Sequence, residues 1–231
     1  MKYKNLFIDL DDTLWDTYHN NKKCLEELYV DYHWDQYYAS FEAFFSLYAP
    51  NNDRLWTQYR NSEIDRATLI LERFGYVLRP MGIEDKAAIL AVNNDFLHRT
   101  GQRAGRLVQG AIVLLEYLRP SYKLYLLSNG FREVQRNKVD KSGLAPFFQK
   151  IILSEDAGIQ KPHKEIFDYA LRNTNSRRHE TIMIGDSWEA DIIGAKQAKI
   201  DQLWFNPKGL KPGDFEPTFT VSTLAQIKEI L

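Results

Sequence analysis

Asn5-Leu6-Phe7-Ile8-Asp9-Leu10-Asp11-Asp12-Thr13 is the stretch on which the fold turns. Leu6–Ile8 is a short apolar strand cut off by three acids in the next four positions. Further along the chain, Lys123–Leu127, Ile151–Leu153, Thr181–Ile184 and Gln202–Phe205 read as strands of the same kind. Helical segments alternate with them: Ala111–Leu118, Glu133–Lys141, His163–Arg172, Glu189–Lys199 and Thr223–Leu231. Short strands alternating with helices are parallel strands joined by crossovers. The expected fold is an α/β, three-layer, Rossmann-like parallel sheet.

The first strand stands apart from the others. Between them lies a segment with 13 aromatic residues in positions 15–59, poor in Gly and Pro, which reads as packed helices. Helical patterning continues through Asp85–Thr100. The sequence thus predicts a core of residues 1–14 and 106–231, interrupted by a helical insert over 15–105. Most of the insert's rings are expected in its own core.

A length of 231 residues fits one large domain or a domain with an insert. With 30 basic and 31 acidic residues the net charge is −1, which argues against bulk electrostatic binding of nucleic acid or a membrane surface. Neither is expected as a partner, and nothing in the sequence fixes an oligomeric state. The single cysteine, Cys24, excludes an internal disulfide or a cysteine metal cage, and the five histidines lack ligand spacing. The apolar run after Lys2 and Lys4 stops at Asp9, too short for a signal-peptide core or a membrane span. The expected compartment is the cytoplasm.

Ligands of open parallel sheets bind beyond the carboxyl ends of the strands. The residues there are Asp9, Asp11, Asp12 and Thr13 after the first strand, Ser128 and Asn129 after the second, Lys161 in the loop after the third, and Asp186 to Asp191 after the fourth. Asp9, Asp11 and Asp186 would crowd negative charge, which calls for a cation or raised pKa values. Hard oxygen donors without His or Cys favour Mg²⁺. Lys161 adds a positive charge, Ser128 a hydroxyl donor, and the amides after Asp9 an anion-binding turn. Together these suit a phosphoryl group in transfer. Simpler readings exist for each residue alone. Asp9 fits a strand-ending turn, Asp186 with Glu189 a helix capping box, and Asp191 a first-turn acid favoured by the helix dipole. Asp12 reads as a solvated or loop-stabilising acid, and Cys24 as a small buried apolar residue.

Asp9-x-Asp11-x-Thr13, then Ser128, Lys161 and Gly185-Asp186-x-x-x-x-Asp191, in this order over nearly the whole chain, resembles the haloacid dehalogenase-like phosphohydrolase superfamily. The resemblance implies that the insert is a helical cap and that Asp9 is a nucleophile forming an aspartyl-phosphate. It implies Asp11 as general acid and then base, with Ser128 donating to a phosphoryl oxygen and Lys161 neutralising the nucleophile and the phosphate. Leu10, Thr13 and Asn129 would line the phosphate site. Mg²⁺ would be held by Asp9, Asp186 and the Asp11 carbonyl, with Asp191 behind the metal or orienting Lys161. Asp11 favours phosphate chemistry over dehalogenation, because a halide leaving group needs no general acid. No Lys/Met pattern points to phosphonate cleavage.

The stretch Leu55-Trp56, Glu63-Ile64, Leu69 and Arg73-Phe74, with Leu203-Trp204-Phe205-Asn206, is similar to the pyrimidine 5′-nucleotidase branch, which implies a nucleoside 5′-monophosphate as the small phosphomonoester substrate. A sugar-phosphate phosphatase or a β-phosphoglucomutase-like phosphomutase stays open. A phospho-receiver and an inactive binding module are the rivals from other classes. A receiver carries its acidic pair on a different strand from its acceptor and is about half this length.

Overall fold

The computed structural model describes residues 2–231. The chain forms two compact units. One comprises the residues up to Thr17 together with Ala104–Leu231, the other Tyr18–Arg103.

The second unit is helical, built from α1 (Thr17–Asp31), whose first residue belongs to the other unit, α2 (Phe41–Arg60), α3 (Arg66–Leu78) and α4 (Lys86–Gly101). Three of these helices begin where a short polar side chain takes up an orphan amide: Ser40 accepts from Ala43, Asp65 from Thr68, and Asp85 from Ala88. Their apolar faces meet in an aromatic core. Trp34 lies 4.9 Å from Phe44, Tyr48 5.1 Å from Phe74, and Phe74 5.6 Å from Phe96, ring centre to ring centre. The aromatic richness seen in the sequence is therefore largely packing, while Tyr18 and Tyr37 remain exposed.

In the first unit β1 (Asn5–Ile8), β2 (Lys123–Ser128), β3 (Lys150–Leu153), β4 (Thr181–Gly185), β5 (Asp201–Phe205) and β6 (Phe219–Val221) form one parallel sheet in the order β3-β2-β1-β4-β5-β6. Helices α5 (Ala111–Leu118), α6 (Arg132–Lys141), α7 (Ser154–Ala157), α8 (Lys164–Thr174) and α9 (Gly194–Gln197) lie along the connections. Alternation along β1 divides its side chains between the two faces. Leu6 and Ile8 pack with Leu114, Leu115 and Leu118 of α5. Phe7 packs on the other side with Ile166, Phe167 and Ala170 of α8. With both faces covered, β1 has no exposed residue, and its apolar run is what a central parallel strand requires.

The register sets the site. Ile8 pairs with Leu126 and Ile184. One step further, Asp9, Leu127 and Gly185 come level, followed by Ser128 and Asp186. The first unit also holds both ends of the chain segments that lead to the helical unit. Trp15 bridges Leu107, its indole donates to the Ala104 carbonyl at 3.1 Å, and the Asp16 amide donates to Arg106. These pairings put the division of the chain at Thr17 and Ala104. Gly105 has φ +66°, and a Cβ there would stand 2.4 Å from the Trp15 indole nitrogen, so only glycine fits.

Three local expectations need correction. The segment after β4 is not a regular helix over Glu189–Lys199. It is a wide turn, Trp188–Ile193, in which the amides of both Asp191 and Ile192 reach the Ser187 carbonyl, followed by α9. Its cap is Ser187, whose hydroxyl accepts from Ala190, so the capping box expected of Asp186 and Glu189 is replaced and the Asp186 carboxylate is spared for other duty. The C-terminal helix is a 3₁₀ segment, Leu224–Glu229, entered through a Thr223/Gln226 capping box. Strand β6 leaves no apolar run in the sequence, since it is three residues long and only one of them is buried. Among the described residues no helix is long and apolar enough to cross a membrane.

Candidate active site

Asp9 follows β1, Ser128 ends β2, Lys161 lies between α7 and α8, and Asp186 follows β4. Lys161 is the hub. Its ammonium donates to Asp9 Oδ1 at 2.6 Å, to Asp191 Oδ1 at 2.7 Å and to the Leu127 carbonyl at 2.8 Å, which uses all three protons. It is 1 % exposed. Asp9, Asp186 and Asp191 each bring a carboxylate oxygen within 4.8 Å of the others. At that distance two unit charges repel by at least about 3 kcal/mol at an effective dielectric of about 20. Three carboxylates against one ammonium leave two negative charges in excess.

Burial first, and then this crowding, sets the titration of these groups. Burial, reinforced by Asp191 and Asp11, holds the Asp9 carboxyl above the usual carboxylate range against the pull of Lys161. Asp186 is pushed well above it, by burial first and then by Asp9 and Asp191. Burial would lower Lys161, but the charges of Asp191 and Asp9 overcome it and hold the ammonium above its ordinary value. A divalent cation would neutralise the remaining charge, and the donors are hard oxygens, so the set fits Mg²⁺ chemically.

Asp11 does not join this cluster, contrary to the crowding expected from sequence. Its carboxylate turns toward α6. Oδ1 accepts from Lys138 Nζ and from the Thr17 hydroxyl, both at 2.7 Å, and Oδ2 accepts from the Gln135 carboxamide. Burial pushes the Asp11 carboxyl up, yet Lys138 and these hydrogen bonds bring it below its ordinary value overall. The Lys138 ammonium lies 4.1 Å from the centre of the Trp15 ring, a second source of its fixed position. Asp191 takes the third place in the acidic cluster. It is fully buried, with Oδ1 on Lys161 and Oδ2 accepting from the Ser187 amide at 3.1 Å.

The remaining sequence candidates are distributed as follows. The Leu10 carbonyl accepts from the amides of Thr13, Leu14 and Trp15, folding the loop tightly. Asp12 sits in that loop at φ +58°, a conformation Asp tolerates better than most residues. The Thr13 hydroxyl is 3.3 Å from Asp186 Oδ1 and accepts from the Asp186 amide at 3.1 Å. The Asn129 side chain is committed to Lys161: it donates to the Lys161 carbonyl and accepts from the Lys161 amide, both at 2.8 Å. These two bonds tie the Asn129 side chain to the backbone of Lys161.

Gln135 and Lys138 are not marked by the sequence, and Trp204 is marked only within a resemblance, without its contact to the site. The Trp204 indole donates to the Asp186 carbonyl at 2.9 Å, fixing the turn after β4. Gln135 and Lys138 sit three apart on a polar helix, a spacing that puts both on one face, but nothing local says that the face meets Asp11.

Gly185 has a steric reason. A Cβ there would stand 2.2 Å from Asp191 Oδ2, and Asp191 is itself buried and tied to Lys161. Gly185→Ala is expected to cost about 1–3 kcal/mol of stability in chemical denaturation, together with loss of catalysis. A variant as stable and active as the parent would refute the close approach.

A sequence profile of the haloacid dehalogenase-like hydrolases matches residues 3–199, and the chain belongs to that family. It is 31 % identical to the pyrimidine 5′-nucleotidase YjjG of Escherichia coli, covering 100 % of this chain and 99 % of that protein. It is 30 % identical to the pyrimidine 5′-nucleotidase PynA of Streptococcus pneumoniae, covering 100 % and 96 %. Among solved structures it superposes on YfnB of Bacillus subtilis, determined with bound magnesium, with a TM-score of 0.88 and 29 % identity over 100 % of this chain and 99 % of that one.

Proposed function

We propose that the protein is a Mg²⁺-dependent phosphatase of the cytoplasm that hydrolyses a small phosphomonoester, a nucleoside 5′-monophosphate, through an aspartyl-phosphate on Asp9. The observation that carries this reading is the buried Lys161 tied to Asp9 and Asp191 inside a cluster of three carboxylates. The full-length similarity to two pyrimidine 5′-nucleotidases supports the substrate class. In this reading the helical insert is the cap that limits access of water and substrate.

Asp9, Asp186 and the Asp11 carbonyl would hold Mg²⁺, which when bound supplies charge neutralisation for an anionic nucleophile meeting an anionic phosphate. Asp191 orients Lys161. The Ser128 hydroxyl and the amides of Leu10 and Asn129 receive the phosphoryl oxygens, the charge of Lys161 neutralises the nucleophile and the phosphate, and Thr13 steadies the loop against Asp186. An Asp9 carboxylate oxygen attacks phosphorus, and the ester bond to the leaving oxygen breaks. Asp11 gives that oxygen its proton. Asp11 then takes a proton from water as the water attacks the phosphorus, and Asp9 is freed with release of inorganic phosphate. Lys138 holds Asp11 ionised, the state that accepts the proton from water, so donation to the leaving oxygen requires prior protonation.

The test is a panel of nucleoside monophosphates and sugar phosphates assayed with Mg²⁺ and with chelator. Turnover is expected to need Mg²⁺ and to favour nucleoside 5′-monophosphates by about tenfold or more. Preference for hexose phosphates would reject the substrate, phosphoryl return to a bound sugar would reveal a mutase, and chelator-resistant turnover would reject the metal.

Stability of the metal-free fold should depend on pH. Asp9 and Asp186 titrate higher in the metal-free fold than in the unfolded chain, so the fold binds more protons and loses stability as pH rises from the ordinary carboxylate range through the raised values. Mg²⁺ should therefore raise Tm more at pH 8 than at pH 5.5. An equal or reversed difference would contradict cation binding at this cluster.

A further inference from the structure

We propose that Gln135 is a positioning residue that couples the acid–base carboxylate of Asp11 to the phosphate-facing hydroxyl of Ser128, an inference that rests on the phosphatase reading above. Gln135 lies on α6, is 1 % exposed, and stands 124 positions from Asp11 in sequence. Its carboxamide nitrogen donates both protons, one to Asp11 Oδ2 and one to Ser128 Oγ at 2.6 Å. The orientation of the amide is set by its neighbours. Turned over, its oxygen would face an ionised carboxylate that already accepts from Lys138 and Thr17.

The consequence for Ser128 follows from counting hydrogens. Its oxygen accepts from Gln135 and from the Gly130 amide at 3.2 Å, which fills both lone pairs. The hydroxyl proton is then the only capacity left, so Ser128 is held as a donor, the polarity an anionic phosphoryl oxygen needs. The same carboxamide fixes the second oxygen of Asp11, while Lys138 and Thr17 fix the first. One side chain thus sets the direction of the proton-transferring group and of a phosphoryl-oxygen donor together.

Two further observations favour a role in the site over one in stability. The Gln135 carbonyl oxygen is buried with no partner, which an apolar residue of similar size would avoid. Gly130 is the residue that makes room: a Cβ on it would stand 2.2 Å from the Gln135 amide nitrogen.

The experiment compares phosphoenzyme formation in single turnovers of the Mg²⁺-loaded full chain with two substrates, uridine 5′-monophosphate and p-nitrophenyl phosphate. The first expels an alkoxide that needs protonation, and the second a phenolate that scarcely does. Gln135→Met is expected to slow the aryl ester about threefold, the share of Ser128, whose hydroxyl serves the phosphoryl oxygen of either substrate, and the nucleotide at least about 30-fold, because displacing a general acid acts only where the leaving group needs the proton. Gln135→Leu, which also removes both donated protons, is the alternative should the first variant not fold, with the same selectivity expected. Losses that differ by less than tenfold between the substrates overturn the proposal, since a purely structural defect acts on both alike. Wild-type protein inert toward both substrates with Mg²⁺ overturns the phosphatase reading itself, and this inference with it.

Discussion

Asp9→Asn is expected to lower turnover by at least about 10⁴-fold, with no phosphoenzyme trapped on acid quench of a labelled substrate. The amide is close in shape to the carboxylate but is a far weaker nucleophile. The substitution should not harm the fold. Asp9 is one of three carboxylates gathered around one ammonium, and its carboxyl is held above the usual range, so its ionised form is a burden on the metal-free protein. Removing that charge should leave Tm equal or higher while activity disappears, which separates loss of chemistry from loss of structure. Substantial activity in this variant would remove Asp9 as nucleophile. Phosphate trapped on another side chain would do the same.

Lys161→Met is expected to remove activity and also to cost about 3–5 kcal/mol of stability in the metal-free protein, because breaking a buried ion network leaves uncompensated charge behind. Here the lost ammonium serves Asp9, Asp191 and the Leu127 carbonyl at once, and Asp191 has no access to water as a substitute. Urea unfolding with and without Mg²⁺ gives the measurement. The cation should restore part of the lost stability, since it can offset some of the same negative charge. Unchanged stability would mean that the network contributes little. A loss that Mg²⁺ leaves untouched would mean that the cation does not bind at this cluster.

Much of the parallel sheet was legible because each of its longer strands is a short apolar run ended by polar residues, a local pattern with a single reading. Ile8-Asp9 and Leu127-Ser128 carry that pattern in adjacent residues. The turn after Gly185 was harder. Asp186, Ser187 and Glu189 all offer capping chemistry, and in the wide turn Trp188–Ile193 it is Ser187 that accepts from Ala190. Gly194 there would bring a Cβ within 2.6 Å of the Phe167 ring. Among the site residues, the gathering of Asp9 and Lys161 followed from where the strands end. The separation of Asp11 from Asp9 did not, although the two are only two positions apart.

What the sequence determined by itself was the alternation of strands and helices, the aromatic insert, and the list of polar groups at the strand ends, because these depend on periodicity and on residues next to one another in the chain. What only the tertiary structure decided was the pairing of charges: between the two places the sequence offered Asp191, a direct bond to Lys161, and for Asp11 the company of Lys138 and Gln135 from a helix more than 120 residues away. Charge pairing acts through space over a few ångströms, and which groups come that close is set by the packing of helices on the sheet.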